Sequence, residues 1–224
     1  MLAHRQLLAK RTQGKVDVLF LGNSITRRWG ATDSPDFLAH WKQTFHGWNA
    51  ANFGWGGDRL EHMLWRIANG ELDGVHPRII VIEGGTNNVG TVPGGDERVD
   101  NIARGYRALV ELCRRKAPNA TIIVTGIFPR NDHMAVLPEI VRINAQVAQL
   151  ADGQMIRYIN INDALADANG NLLEGMTVDR LHLTVKGYQA WADALQPLLT
   201  SILGPPAPFD LAPPPTGDPS ARRP

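Results

Sequence analysis

The sequence predicts an α/β domain: a parallel sheet with helices on both faces. Two observations carry that expectation. Short apolar runs rich in branched residues alternate with amphipathic helical segments, about five times over. Glycine-rich turns follow the first three of those runs, where ligand sites of such sheets lie. The 224 residues are 43% hydrophobic and 20% charged, which suits one core needing neither disulfide nor metal.

The elements read in order as follows. The opening MLAHRQLLAKRTQG lacks the apolar stretch of a signal peptide and reads as a short amphipathic helix. As it stands the chain fits a cytoplasmic protein, or a secreted or periplasmic one after removal of a leader. Residues 16–21 (VDVLFL) form a buried strand turned by Gly22. Residues 48–53 (WNAANF) are a weaker strand. Over 60–69, Leu60, Met63, Leu64 and Ile67 share one helical face, which Gly70 ends. Residues 78–82 (RIIVI) are a strand closed by Gly84-Gly85. A long amphipathic helix spans 99–116 and stops before Pro118. A strand at 121–125 (TIIVT), a helix at 136–150, a strand at 155–159 and a helix at 184–203 complete the pattern. The domain is therefore placed at 1–203. The remainder, 204–224 (GPPAPFDLAPPPTGDPSARRP), is too rich in proline for helix or central strand and reads as an extended, mostly disordered tail.

Several function classes are disfavoured. A net charge of +1 with scattered Lys and Arg leaves no footprint for nucleic acid. No apolar run is long enough to span a bilayer. Cys113, the single cysteine, falls in step with Tyr106, Leu109 and Val110 on one helix face and reads as buried packing. Gly54-Trp55-Gly56 begins like a dinucleotide fingerprint, but Arg59 occupies its third glycine position. No phosphate-binding G-x-x-x-x-G-K loop and no metal-ligand spacing is found.

Chemistry concentrates at strand ends: Gly22-Asn23-Ser24, Gly54-Trp55-Gly56-Gly57-Asp58, Gly84-Gly85-Thr86-Asn87-Asn88, and Asp179-Arg180-Leu181-His182 before the last helix. Singly, each has a bland reading. Ser24 suits a helix N-cap, Asn87 and Asn88 suit a turn, and Asp179 suits a cap. Together they say more. Of the serines Ser24, Ser34, Ser201 and Ser220, only Ser24 sits in a turn after a buried strand. A serine hydroxyl needs a base, and histidine fills that role near neutral pH. A carboxylate fixes the imidazole tautomer, and Asp179 lies three residues before His182. Acyl transfer also needs oxyanion donors, for which the N–H groups of Ser24 and Gly57 and the Asn87 amide are candidates.

Four blocks carry a family resemblance: VDVLFLGNSIT (16–26), NFGWGGDRLEHMLWRIANGEL (52–72), IIVIEGGTNN (79–88) and DRLHLTVKGY (179–188). The sequence resembles the SGNH hydrolases, or GDSL esterases, and within them is similar to the platelet-activating-factor acetylhydrolase branch and its bacterial relatives. The resemblance implies a three-layer, flavodoxin-like α/β/α fold with a five-stranded parallel sheet. It implies Ser24 as nucleophile, His182 as base, Asp179 as its partner, and an oxyanion hole from Ser24, Gly57 and Asn87. It implies no metal and no organic cofactor, and its nearest branch suggests a homodimer. Two departures stand out. Asn23 replaces the family's usual Asp, and Glu83 ends a buried strand, where a carboxylate needs a partner or a raised pKa; a part in the substrate pocket is one reading, and pairing with a nearby Arg is the expected arrangement.

The expected activity is hydrolysis of short acyl, chiefly acetyl, esters through an acyl-enzyme. The substrate is a small-molecule acyl ester or an acetylated carbohydrate. Alternatives are a carbohydrate O-acetylesterase of acetylxylan type, a lysophospholipase-like activity, or a non-catalytic binding module on the same fold. Trp29 and Trp55 flank the site in sequence and suit either a sugar platform or core. Activity should fall at acid pH as His182 becomes protonated.

Overall fold

The computed structural model describes residues 2–220. Five strands, β1 (Val18–Gly22), β2 (Ala50–Asn52), β3 (Ile79–Glu83), β4 (Thr121–Thr125) and β5 (Ile156–Ile159), form one sheet in the order β2-β1-β3-β4-β5. Every pair is parallel. Strand order reverses after β1, so the crevice for a ligand opens between the carboxyl ends of β1 and β3.

The strands alternate faces at single-residue period, and that alternation makes three layers. Leu19, Leu21, Ile80, Ile82, Ile122 and Val124 point to one buried cluster. Val18, Phe20, Ile79, Val81 and Ile123 point to the other. The first cluster packs under α1 (Leu2–Lys10), α4 (Leu60–Arg66), α6 (Gly95–Lys116) and α7 (Leu137–Ala148). The second packs under α2 (Ser24–Trp29), α3 (Pro35–Phe45) and α9 (Val185–Leu203), with Phe20, Trp29, Trp41, Phe45 and Trp191 in mutual ring contact. Two single-turn helices, α5 (Thr86–Val89) and α8 (Asn162–Leu165), complete the set.

Most predicted segments are present with ends moved by a few residues. The β4 strand matches its predicted span. The helix expected over 60–69 ends at Arg66 and continues as a wide turn, Ile67–Glu71, because Gly70 takes φ +106°. Helix α3 lies in a stretch that the sequence reading leaves unassigned; Pro35 opens it, and Trp41 and Phe45 bury its inner face. Cys113 is fully buried and free, and burial pushes its thiol up to about 12.

The expected tail begins at residue 204 and is described to residue 220. Its described part is extended but is not free of the domain. Ala207 N–H donates to Gly47 O at 3.0 Å, and Leu211 N–H donates to Asn49 Oδ1 at 2.7 Å. Lys15 N–H donates to Leu211 O at 2.8 Å, and Thr32 N–H to Thr216 O at 3.3 Å. Gln6 donates to Gly217 O at 2.9 Å. Proline fixes the backbone in advance, so seating the segment costs less entropy than its composition suggests. Residues 221–224 lie outside the described residues. Deleting residues 205–224 should lower the melting temperature by roughly 5 °C. Calorimetry of the shortened chain checks this, and an unchanged transition would mean the seat contributes nothing to stability.

Candidate active site

The site is assembled at the carboxyl ends of three adjacent strands. The first contribution follows β1. Asn23 caps α2: its Oδ1 accepts the Ile25 N–H at 2.8 Å. Ser24 therefore opens the helix instead of capping it, and its Oγ lies 2.9 Å from His182 Nε2. Two further bonds hold this helix. Tyr188 of α9 donates its O–H to Ile25 O at 2.7 Å, and Asn52 at the end of β2 donates to Thr26 O at 2.6 Å.

The second contribution precedes α9. Arg180 takes a left-handed conformation, φ +67°, which folds the chain back between Asp179 and His182. Asp179 Oδ1 then accepts the N–H groups of Leu181 at 3.2 Å and His182 at 2.7 Å. Its Oδ2 lies 2.7 Å from His182 Nδ1. Because a carboxylate only accepts, Nδ1 carries the proton and Nε2 faces Ser24 as acceptor. Partial burial alone would raise the Asp179 carboxyl. The hydrogen bonds from the His182 backbone and ring outweigh it and hold the carboxyl below its ordinary value. Arg28 stands 3.9 Å from the same oxygen.

The third contribution is a pair of interlocked loops. Gly57 takes φ +76°, a conformation that suits glycine, and leaves open space where a Cβ would stand. Among the described residues no acceptor is paired with the backbone N–H of Gly57 or of Ser24. Asn87 donates one amide hydrogen to Asp58 O at 2.8 Å, leaving a second available. Asn88 accepts the Leu60 N–H at 2.9 Å, capping α4, and donates to Glu61 at 2.8 Å. The loop after β3 thus fixes the loop after β2.

The sequence reading missed several supports of this geometry. A buried chain of charge underlies the Gly57–Asp58 turn: Arg66 bridges Asp58 at 2.8 Å and also Glu71, and Glu71 meets His4 of α1 at 3.0 Å. Desolvation raises both carboxyls, Asp58 and Glu71, while Arg66 pulls them back. Arg130 grips Asp132 with two nitrogens and reaches the carbonyls of Thr86 and Gly90, closing the loop that carries Asn87. Some of these partners are distant in sequence, Glu71 from His4 and Arg130 from Thr86 and Gly90, and the nearer pairs fall at spacings that no local motif marks.

One expectation changes, and one open alternative is decided. Among the described residues Glu83 has no Arg partner: it is fully buried and accepts from Asn23 Nδ2 and Thr26 Oγ1, each at 3.1 Å. Burial pushes its carboxyl up to about 7 despite those donors. Trp29 is core, fully buried and stacked on Tyr188 at 4.8 Å, so it offers no platform. Trp55 is half-buried, with Arg27 over its ring at 4.8 Å.

Among the described residues no three His, Cys, Asp or Glu side chains are grouped to hold a metal ion. None of the described helices is long and apolar enough to cross a membrane. Beside the Asp179–His182 turn lies an open depression of about 370 Å³, bordered by Asn131, Leu173, Thr177 and Arg180.

Comparison with known proteins agrees with this arrangement. Residues 20–190 match the GDSL-like lipase/acylhydrolase family. The platelet-activating factor acetylhydrolase IB subunit alpha1 of Homo sapiens is 31% identical over 205 residues, covering 91% of this chain and 84% of the relative. The alpha2 subunit of Bos taurus is 31% identical over 210 residues, with 91% and 84% covered. A GDSL-like lipase structure from Bacteroides thetaiotaomicron superposes with a TM-score of 0.74 at 19% identity, covering 91% of this chain and all of that one. Four sequence blocks in order, a β2-β1-β3-β4-β5 sheet and a family match from residue 20 to residue 190 agree: this chain belongs to the GDSL-like lipase/acylhydrolase family and is a carboxylic ester hydrolase.

Proposed function

We propose that the chain hydrolyses short-chain acyl esters, acetyl esters foremost, by transferring the acyl group to Ser24. The observation that carries this reading is the continuous line Ser24 Oγ–His182–Asp179, with contacts of 2.9 and 2.7 Å. In the first step Ser24 Oγ attacks the ester carbonyl as its proton passes to His182 Nε2. The carbonyl oxygen becomes an oxyanion, met by the N–H groups of Ser24 and Gly57 and the free amide hydrogen of Asn87. His182 then gives its proton to the departing alcohol. Water, deprotonated by the same imidazole, releases the acid and restores Ser24.

Asp179 acts through His182. It holds the tautomer that leaves Nε2 unprotonated and stabilises the imidazolium of each transition state. Its depressed carboxyl keeps it ionised throughout the range in which a neutral imidazole is available. The acetyl preference is supported by the curated relatives, which are named as acetylhydrolase subunits.

A p-nitrophenyl ester series from acetate to octanoate tests the reading. Acetate should be turned over fastest, and Ser24→Ala should lower kcat by roughly 10⁴-fold or more. Faster hydrolysis of octanoate would overturn the acyl preference, and an active Ser24→Ala would overturn the nucleophile. In Asp179→Asn the amide donates to Nδ1 and forces the proton onto Nε2. Its kcat should fall roughly a thousandfold with little change in KM, as steady-state kinetics would show. Asn87→Ala should cost about a hundredfold in kcat, and a loss confined to KM would remove Asn87 from the oxyanion hole.

A further inference from the structure

Beneath Ser24 lies a carboxylate that the proposed reaction does not use. Glu83 ends β3 directly opposite Gly22 of β1 in the sheet register. It is fully buried, and among the described residues no Lys, Arg or His nitrogen pairs with it. Its carboxylate oxygens are divided between two donors. Oε1 accepts from Asn23 Nδ2 and Oε2 from Thr26 Oγ1, each at 3.1 Å.

Asn23 is engaged at both ends. Its Oδ1 accepts the Ile25 N–H at 2.8 Å while its Nδ2 donates to Glu83. An Asp at this position could make the first bond but would set a second carboxylate against Glu83. Two carboxylates in one dry site cannot both ionise at modest cost. The amide at position 23 and the acid at position 83 therefore fit as donor against acceptor. Among the described residues the other titratable groups coupled to Glu83 are phenols. Tyr106 of α6 donates to Gly84 O at 2.7 Å, and Tyr188 of α9 donates to Ile25 O at 2.7 Å. Burial first, then the charge of Glu83, pushes Tyr106 above its ordinary range, so it stays a neutral donor.

We propose that Asn23, Glu83 and Thr26 act as one unit holding a single buried carboxylate at position 83, and that this unit positions the turn bearing Ser24. Glu83 is a positioning residue, acting on the nucleophile through the residues on either side of it. The proposal rests on the reading of Ser24 as nucleophile for its kinetic consequence, but not for its structural one. Burial raises the Glu83 carboxyl even with both donors in place, so a second carboxylate beside it would ionise only at further cost. Unfolded, the group ionises near its ordinary value of 4.5; folded, it holds its proton to about 7. The folded chain therefore binds more protons across that window. Stability from this group is lost as pH rises from the lower value to the upper and stays lost above it.

The test compares wild type, Asn23→Asp, Glu83→Gln and the double variant Asn23→Asp/Glu83→Gln. Melting temperature is measured near pH 5 and near pH 9, with kcat and KM on p-nitrophenyl acetate near pH 8. Asn23→Asp should lower kcat about tenfold or more with KM within about twofold. Its melting temperature should drop further at the higher pH, where both carboxyls are forced to ionise. Glu83→Gln should gain melting temperature over wild type at the higher pH relative to the lower. The double variant exchanges the roles, so that a carboxylate on the α2 turn accepts and an amide at the end of β3 donates. It should recover most of the loss in both readouts. A double variant no better than Asn23→Asp overturns the proposal, as does an Asn23→Asp indistinguishable from wild type. If Asn23→Asp does not fold, the double variant decides: folded and active supports the unit, unfolded overturns it. A wild type inert on every ester removes the functional reading instead, and the melting temperatures alone then decide whether the unit exists.

Discussion

The chain has no room for a side chain where β1 turns into α2, and the geometry of the site depends on that crowding. A Cβ on Gly22 would stand 2.0 Å from Thr26 Oγ1 and 2.8 Å from the Glu83 carbonyl. The first turn of α2 thus lies directly on the end of β3. That closeness lets Thr26 and Asn23 reach Glu83, and it puts Ser24 beside the loops that follow β2 and β3. Nothing larger than glycine at this point could keep all three strand ends within hydrogen-bonding reach of one another.

Buried charge is distributed unevenly around this point. On the α4 side, Arg66 pairs with both Asp58 and Glu71, and Glu71 meets His4, in a chain running from the Gly57 turn to the N-terminal helix. Below Ser24, Glu83 has hydrogen bonds but, among the described residues, no cation. Lys10 is its converse: buried, donating to the Asn52 carbonyl at 2.7 Å, with burial lowering its ammonium to about 7. A paired buried charge resists removal of either partner, because the survivor is left stranded. An unpaired one responds to pH. The two kinds of arrangement stand side by side at the ends of β2 and β3.

Much of the architecture was legible because it rests on local pattern. The runs VDVLFL, RIIVI and TIIVT hold unbroken apolar stretches, Val18–Leu21, Ile79–Ile82 and Ile122–Val124, buried on both sheet faces, as strands covered on two sides must be. The proximity of Asp179 and His182 was legible because a three-residue spacing closes within one turn. What escaped the sequence depends on distant partners. Glu83 looked like half of an ion pair, since a buried acid usually finds a cation. Its actual partners, Asn23 and Thr26, are uncharged and come from another strand's turn. Helix α3 escaped because its buried residues, Trp41, Thr44 and Phe45, are few and crowded toward its end. The tail's contacts at Gly47, Asn49 and Lys15 were not legible because composition reports a chain's own tendency and not the seat it meets.

The same segment bears on how copies of the chain meet. β2 is an edge strand of only three residues, Ala50–Asn52. The Asn52 carbonyl is taken by Lys10, and Asn49 just before the strand is held by Asp17 and Leu211. An intruding strand needs a row of free peptide groups, and this edge offers a short one bounded at both ends. Growth of the sheet from one molecule into the next is blocked here by brevity and by a buried amine, with no charged residue spent on the strand itself.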